Sequence, residues 1–148
     1  MTSRSPSVAL SAMTGINVVL AIWAIIGMFG LIGMVKLVDS PAVWKELAPV
    51  EQNALAELAN LPRWLLFGTL ASQMVKATLY CAAAFGYFTR HKLWGRIGGS
   101  ALGVWLLAEQ AVLVAVVGHV SWGLIAAAAY GLLTLWVVNV AARDAFVS

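Results

Sequence analysis

The stretch from Trp64 to Val117, WLLFGTLASQMVKATLYCAAAFGYFTRHKLWGRIGGSALGVWLLAEQAVLVAVV, decides the fold. It holds two apolar runs, Trp64 to Phe88 and Ile97 to Val117, each about as long as the ~20 residues a helix needs to cross a bilayer. The basic turn from Thr89 to Arg96 joins them and is short enough to make the two helices antiparallel neighbours. Each run carries one charge far from water. Lys76 sits at the middle of the first, and Glu109 is the one acidic residue inside an apolar run. Counted from Leu93 in the turn, Lys76 lies 17 residues back (93 − 76) and Glu109 16 forward (109 − 93). Two helices with the same rise per residue therefore bring both charges to one depth. A lysine at mid-membrane costs about 2.5 to 3.5 kcal/mol even on insertion scales, so it needs a counter-charge. The expectation is a buried ion pair between Lys76 and Glu109.

Two further apolar runs flank this hairpin, roughly Met13 to Val35 and Trp122 to Ala141, the latter following the short link Gly118 to Ser121. The whole chain has 148 residues, of which 62% are apolar and 10% charged, against roughly 45 to 50% and 25% in soluble domains. A mean hydropathy of +0.91 points the same way. A soluble globular protein is excluded, because 15 charged side chains, 9 basic and 6 acidic, cannot wet the surface of a chain this size. The predicted fold is all-α: one integral membrane four-helix bundle over residues 1–148, with antiparallel neighbouring spans at about 13–35, 64–88, 97–117 and 122–141, and an outer loop at 36–63. The uncharged run from Val8 to Val35 is far longer than the roughly 7 to 15 residues of a signal-peptide core. It reads as a retained first span.

A net charge of +3 does not imply nucleic acid, since the basic residues are scattered and make no basic face. They report topology instead. Arg90, Lys92 and Arg96 share one turn, and an even number of spans places them on the side of Arg4 and Arg143. Lys36, Lys45 and Arg63 fall opposite, diluted by Asp39, Glu46, Glu51 and Glu57. The positive-inside bias then puts both termini in the cytoplasm of a bacterial-type inner membrane, with Trp44, Trp64 and Trp122 near the outer interface and Trp94 near the inner one.

The outer loop has a pattern of its own. Ser40 before Pro41 reads as an N-cap and first helical residue, and Pro49 with Glu51 opens a second short helix. Val43, Leu47, Val50, Ala54, Leu58 and Leu61 recur at spacings of three and four, so an interfacial amphipathic segment is expected. It caps the bundle or acts as a lid or partner dock.

Inside the second span, Thr69, Gln73, Lys76, Tyr80 and Tyr87 form a polar stripe within about 60° at 100° per residue, with Ser72 at its border. In hydrocarbon such a stripe faces the protein interior or a wet cavity. Small residues mark close backbone approach. Gly95, Gly99 and Gly103 make two consecutive GxxxG steps in line with Gln110, and Gly123, Ala127, Tyr130 and Thr134 share one face of the fourth span. The first span has two sides, Thr14, Asn17, Ala21, Ala24 and Met28 on one and Trp23, Gly27, Gly30 and Gly33 on the other. One side faces the bundle, which leaves the glycine side as a candidate contact for another subunit. Trp105, a turn before Glu109, and Trp23 at similar depth are candidate walls of an aromatic pocket beside Lys76, suited to a quinone-like or cationic molecule, although large aromatics also serve simply as packing.

Catalytic chemistry has no pattern behind it. Cys81 is the only cysteine, so no disulfide relay or cysteine zinc site forms within the chain, and four-span disulfide-exchanging oxidoreductases, which use cysteine pairs, are excluded. His91 and His119 fall at opposite faces, which excludes paired haem ligation within one chain. No HExxH, GxSxG or phosphate-loop pattern occurs. No cofactor and no metal are expected. Small multidrug transporters carry their membrane glutamate in the first of four helices, whereas Glu109 is in the third. The turn from Tyr87 to Ile97, with Arg90 and the run Leu93, Trp94, Gly95, Arg96, is similar to a pattern of small bacterial four-span proteins, and transfers no activity. Two functions fit these residues. One is a non-catalytic membrane subunit or assembly module acting by helix packing, its partners the lipid bilayer and other membrane subunits or further copies of itself. The other is a small oligomeric proton- or ion-coupled transporter or channel, in which Glu109 is the protonation site and Lys76 its switchable counter-ion.

Overall fold

A computed structural model of the chain describes residues 6–44, 46–118 and 120–146. Arg4, Lys45 and His119 lie outside the described residues, as do the side chains of Trp44, Ala54 and Leu58. The described residues form helices joined by short turns and contain no strand. In chain order these are α1 (Pro6–Val38), α2 (Pro41–Trp44), α3 (Pro49–Ala59), α4 (Arg63–Thr89), a π-helical turn (Lys92–Ile97) leading into α5 (Gly98–Val117), and α6 (Trp122–Trp136). A second π-helical turn (Val137–Ala141) and a short 3-10 turn (Arg143–Ala145) follow α6.

Among the described residues, three stretches are long and apolar enough to cross a membrane: Val8–Val38, Lys92–Val116 and Trp122–Ala141. The 27-residue α4 is also long enough, at about 40 Å. Arg63, Gln73 and Lys76 lower its hydropathy, and it is not one of the three.

Local chemistry sets the helix ends. Ser121 caps α6, its hydroxyl accepting from the Leu124 N–H at 3.3 Å. The loop before α6 is short because Gly118 ends α5 in the left-handed region (φ 75°) and donates its N–H to the Val114 carbonyl at 2.9 Å. At the start of α3, the Glu51 carboxylate accepts from the Ala48 N–H at 3.1 Å, half of a capping box around Pro49. The basic turn is tighter than its sequence suggests. Only Arg90 and His91 separate α4 from the π-helical turn, because Arg90 itself takes a left-handed conformation (φ 55°). The His91 N–H then reaches back to the Gly86 carbonyl at 3.0 Å, the outer bond of a Schellman stop. A position usually held by glycine is here held by arginine.

The structure divides into two compact units, Met1–Ala21 with Lys76–Ser148, and Ile22–Val75. In the larger unit Leu10, Met13, Leu102, Leu106 and Val138 belong to one buried apolar cluster, with Tyr80 and Tyr87 from α4. Its glycines are seated tightly. The Gly86 backbone lies directly against Trp94 and Gly95, and Gly95 carries the ring of Phe146 on its other side. Gly99 lies under the Tyr87 hydroxyl and Val138. A Cβ on Gly103 would meet Leu135 Cγ at 2.6 Å and the Gly131 carbonyl at 2.9 Å, so α5 and α6 approach at backbone distance. The GxxxG residues Gly95, Gly99 and Gly103 thus pack within the chain, each against a different neighbour. On α6 the close approach is made by Gly131, whereas Gly123 is exposed.

In the smaller unit Arg63 at the start of α4 pairs with Asp39 just after α1, Nη2 to Oδ1 at 2.9 Å. Both side chains are largely exposed, so the pair contributes at most about 1 kcal/mol. Of the outer segment, Leu55 is buried while Val50 is 80% exposed. The buried Leu55 thus lies off the apolar face drawn from spacing. Leu55 holds α3 to its unit, and Val50, Val43 and Leu61 turn outward.

Two stability changes follow. Arg90→Gly should stabilise the protein by about 1 kcal/mol by removing the Cβ penalty of the left-handed site, and Gly103→Val should destabilise it by about 1 to 3 kcal/mol by overpacking. Equilibrium unfolding in micelles, followed by circular dichroism, reads both.

Candidate functional site

The site is built where α4 and α5 lie side by side within the larger unit. Lys76 projects from α4 and Glu109 from α5, and Nζ stands 2.9 Å from Oε1. Their side chains retain only 16% and 15% exposure. Attraction between opposite charges grows as the surrounding dielectric falls, and so does the cost of leaving either one alone. The pair is therefore less a source of net stability than a constraint on register. Once Lys76 is placed, Glu109 has to be level with it and facing it.

Around the pair the polar stripe of α4 divides along its length. Tyr80 is buried at 7% exposure and lies within electrostatic range of Glu109. Tyr87 is buried at 2%, its ring tilted 44° to that of Phe146 at 6.2 Å. Gln73 is half-buried, but Thr69 is exposed. The Thr69 hydroxyl donates to the Leu65 carbonyl of its own helix at 2.9 Å, so it needs no interior partner. A hydroxyl that can bond back to the preceding turn is a weaker pointer to the interior than a lysine or an amide.

On α1, Asn17 is fully buried and Ala21 and Ala24 nearly so, while Trp23 is 73% exposed. Trp23 therefore lies on an exposed face of its helix. The reason is angular, because successive helix residues differ by 100° and Trp23 precedes the buried Ala24 by one. Trp105 keeps an indole Nε1 that is buried without an acceptor from the chain. Gly27, Gly30 and Gly33 have open space where a Cβ would stand, with nothing within 4 Å.

Two interior polar contacts were not anticipated from sequence. The Tyr130 hydroxyl donates to Asn17 Oδ1 at 2.7 Å. Asn139 Nδ2 donates to Ser100 Oγ and to the Leu135 carbonyl, both at 3.0 Å. The second was within reach of the depth argument that pairs Lys76 with Glu109. Ser100 lies 18 residues before Gly118 (118 − 100) and Asn139 lies 18 after Ser121 (139 − 121). The first joins residues 113 apart in sequence, and no turn fixes their relative depth. Among the described residues, no three His, Cys, Asp or Glu side chains come together as metal ligands.

No protein-family model, curated protein or solved structure matches the chain. The chemistry of the site is thus read from its geometry alone. Among the described residues it holds the Lys76–Glu109 pair with Tyr80 in electrostatic range of Glu109.

Breaking the pair from one side should be far more damaging than removing it. Lys76→Met alone should destabilise by about 3 to 5 kcal/mol by removing the counter-charge of Glu109, while Lys76→Met with Glu109→Leu should recover most of that loss. A double-mutant cycle on reversible unfolding in mixed micelles measures the difference.

Proposed function

We propose that the chain is a four-span membrane bundle, antiparallel between neighbours and with both termini cytoplasmic, that serves as a non-catalytic subunit or assembly module of a larger complex in a bacterial-type inner membrane. Treating α4 as the fourth crossing rests on Lys76. Its charge lowers the helix's hydropathy, but Glu109 compensates it at 2.9 Å, which lowers the cost of placing it in lipid. The positive-inside bias supports the orientation, with Arg90, Lys92, Arg96 and Arg143 on one side and the acidic outer segment on the other.

The observation that carries the subunit reading is the open backbone of α1. Gly27, Gly30 and Gly33 each present a surface with nothing within 4 Å, whereas Gly95, Gly99 and Gly103 are already filled by the chain's own residues. Small residues left open along a helix allow a second helix to approach closely. Trp23 and Phe29 beside them are 73% and 64% exposed and supply apolar contact area for such a helix.

A second reading, a small oligomeric proton- or ion-coupled transporter or channel, is favoured by the buried Lys76–Glu109 pair. Intramembrane ion pairs are costly, and those that change partner during a cycle are a recurrent basis of coupling. Four helices enclose little space, so this reading calls for an oligomer.

The two readings are separable. Extraction in a gentle detergent followed by mass measurement of the intact assembly should give a stoichiometric foreign membrane protein, lost on replacing Gly27, Gly30 and Gly33 together by leucine while helicity is kept. A pure homo-oligomer with ion-dependent solute uptake in vesicles, abolished by Lys76→Met with Glu109→Leu, would replace the subunit reading with the transporter. A lone monomer with neither property would overturn both.

A further inference from the structure

The core of the larger unit holds polar atoms that the chain leaves unanswered. Asn17 is fully buried and its Oδ1 is occupied by Tyr130, but its Nδ2 has no acceptor. The Tyr87 hydroxyl is likewise buried without a partner, as is the Trp105 Nε1. Groups of this kind rarely persist in a folded protein, because each forfeits hydrogen bonds it would make with water. Surrounding hydrocarbon supplies no partner to such a group, so an acceptor has to come from within the bundle.

Their placement along α6 is regular. Tyr87 Oη sits against Gly99 beside Val138. Thr134, one helical turn earlier on the same face, is fully buried and its hydroxyl donates to the Tyr130 carbonyl at 2.8 Å. Tyr130, a further turn on, holds Asn17. Successive turns are about 5.4 Å apart, so Val138 beside Tyr87 Oη and Tyr130 holding Asn17 are anchored two turns apart, and each end of the seam needs an oxygen of its own. The surrounding packing admits nothing large. Gly99 is covered by Tyr87 and Val138, and Gly103 and Gly131 leave no room between α5 and α6.

We propose that the seam formed by Tyr87, Thr134, Tyr130 and Asn17 is a buried water-binding site. Water accepts from Asn17 Nδ2 and completes the Tyr87 hydroxyl. The Trp105 N–H takes a further molecule on the Glu109 face of α5. Water offers two acceptor positions and two donors, so one molecule can answer the Asn17 amide and another the Tyr87 phenol. Tyr80, in electrostatic range of both Tyr130 and Glu109, carries the polar lining on toward the ion pair. This assignment is independent of the subunit and transporter readings.

The test is millisecond X-ray hydroxyl-radical footprinting of the full chain in lipid nanodiscs. Bound water is split in place and oxidises the side chains beside it. Tyr87 and Trp105 should be modified at rates within about threefold of Trp122, which is 86% exposed, despite their burial. The oxygen incorporated should remain unlabelled after a brief dilution into heavy-oxygen water. Modification more than tenfold slower than at Trp122, with Tyr87 and Trp105 as inert as a dry core, would overturn the proposal. Tyr87→Phe gives a second reading that does not depend on labelling. It should lower the unfolding midpoint if the hydroxyl is hydrated, and a raised midpoint would show that the hydroxyl was an unmet group in a dry core.

Discussion

Lys76 and Glu109 meet at 2.9 Å with little access to solvent, and the remainder of the larger unit is arranged around that requirement. A lysine withdrawn from water is tolerable only beside a counter-charge, and a carboxylate has the same need. The pair fixes α4 against α5 in depth and in rotation. Rotation of α4 then carries Tyr80 and Tyr87 inward, and rotation of α5 turns Gly99 and Gly103 toward Tyr87 and Leu135. The tight turn at Arg90 and His91 makes the register possible, since each added turn residue would shift the two charges relative to each other.

Around this pair the protein inverts the usual distribution of polarity. Apolar side chains such as Phe29, Phe88 and Trp136 are exposed, at 64%, 79% and 56%, while Asn17, Thr134 and Gln110 are buried. This is the arrangement expected where the solvent is lipid, because only the interior offers hydrogen-bonding partners. Glycine then does what apolar burial does in water. With no hydrophobic force between helices, close backbone contact supplies the attraction, as at Gly86 with Gly95 and Gly103 with Gly131.

Much of this was legible in the residues before any coordinates. The long apolar runs give helices at α1, α5 and α6, and the start of α3 follows from Pro49 with Glu51. Lys76 and Glu109 could be matched in depth because both are counted from one short turn. What escaped has a common cause. Asn17 with Tyr130 joins elements with no short connection between them, so helical rise gives no common origin. The left-handed Arg90 escaped because arginine gives no signal for that conformation, and the turn therefore read longer than it is. The outward faces of Thr69 and Trp23 escaped for a different reason. A threonine can satisfy itself on its own helix, and a tryptophan is as content in lipid as in a core, so neither residue type reports which way it faces.

The most direct test of the account is the separation of the two charges in a bilayer. Rotational-echo double resonance between Lys76 Nζ labelled with nitrogen-15 and Glu109 Cδ labelled with carbon-13, with Lys76→Met as the blank, measures it. A contact pair, within about 4 Å, is the result this structure predicts. A spectrum indistinguishable from that of the Lys76→Met protein would mean that the two groups do not meet in the membrane, and the register built on them would fall with it.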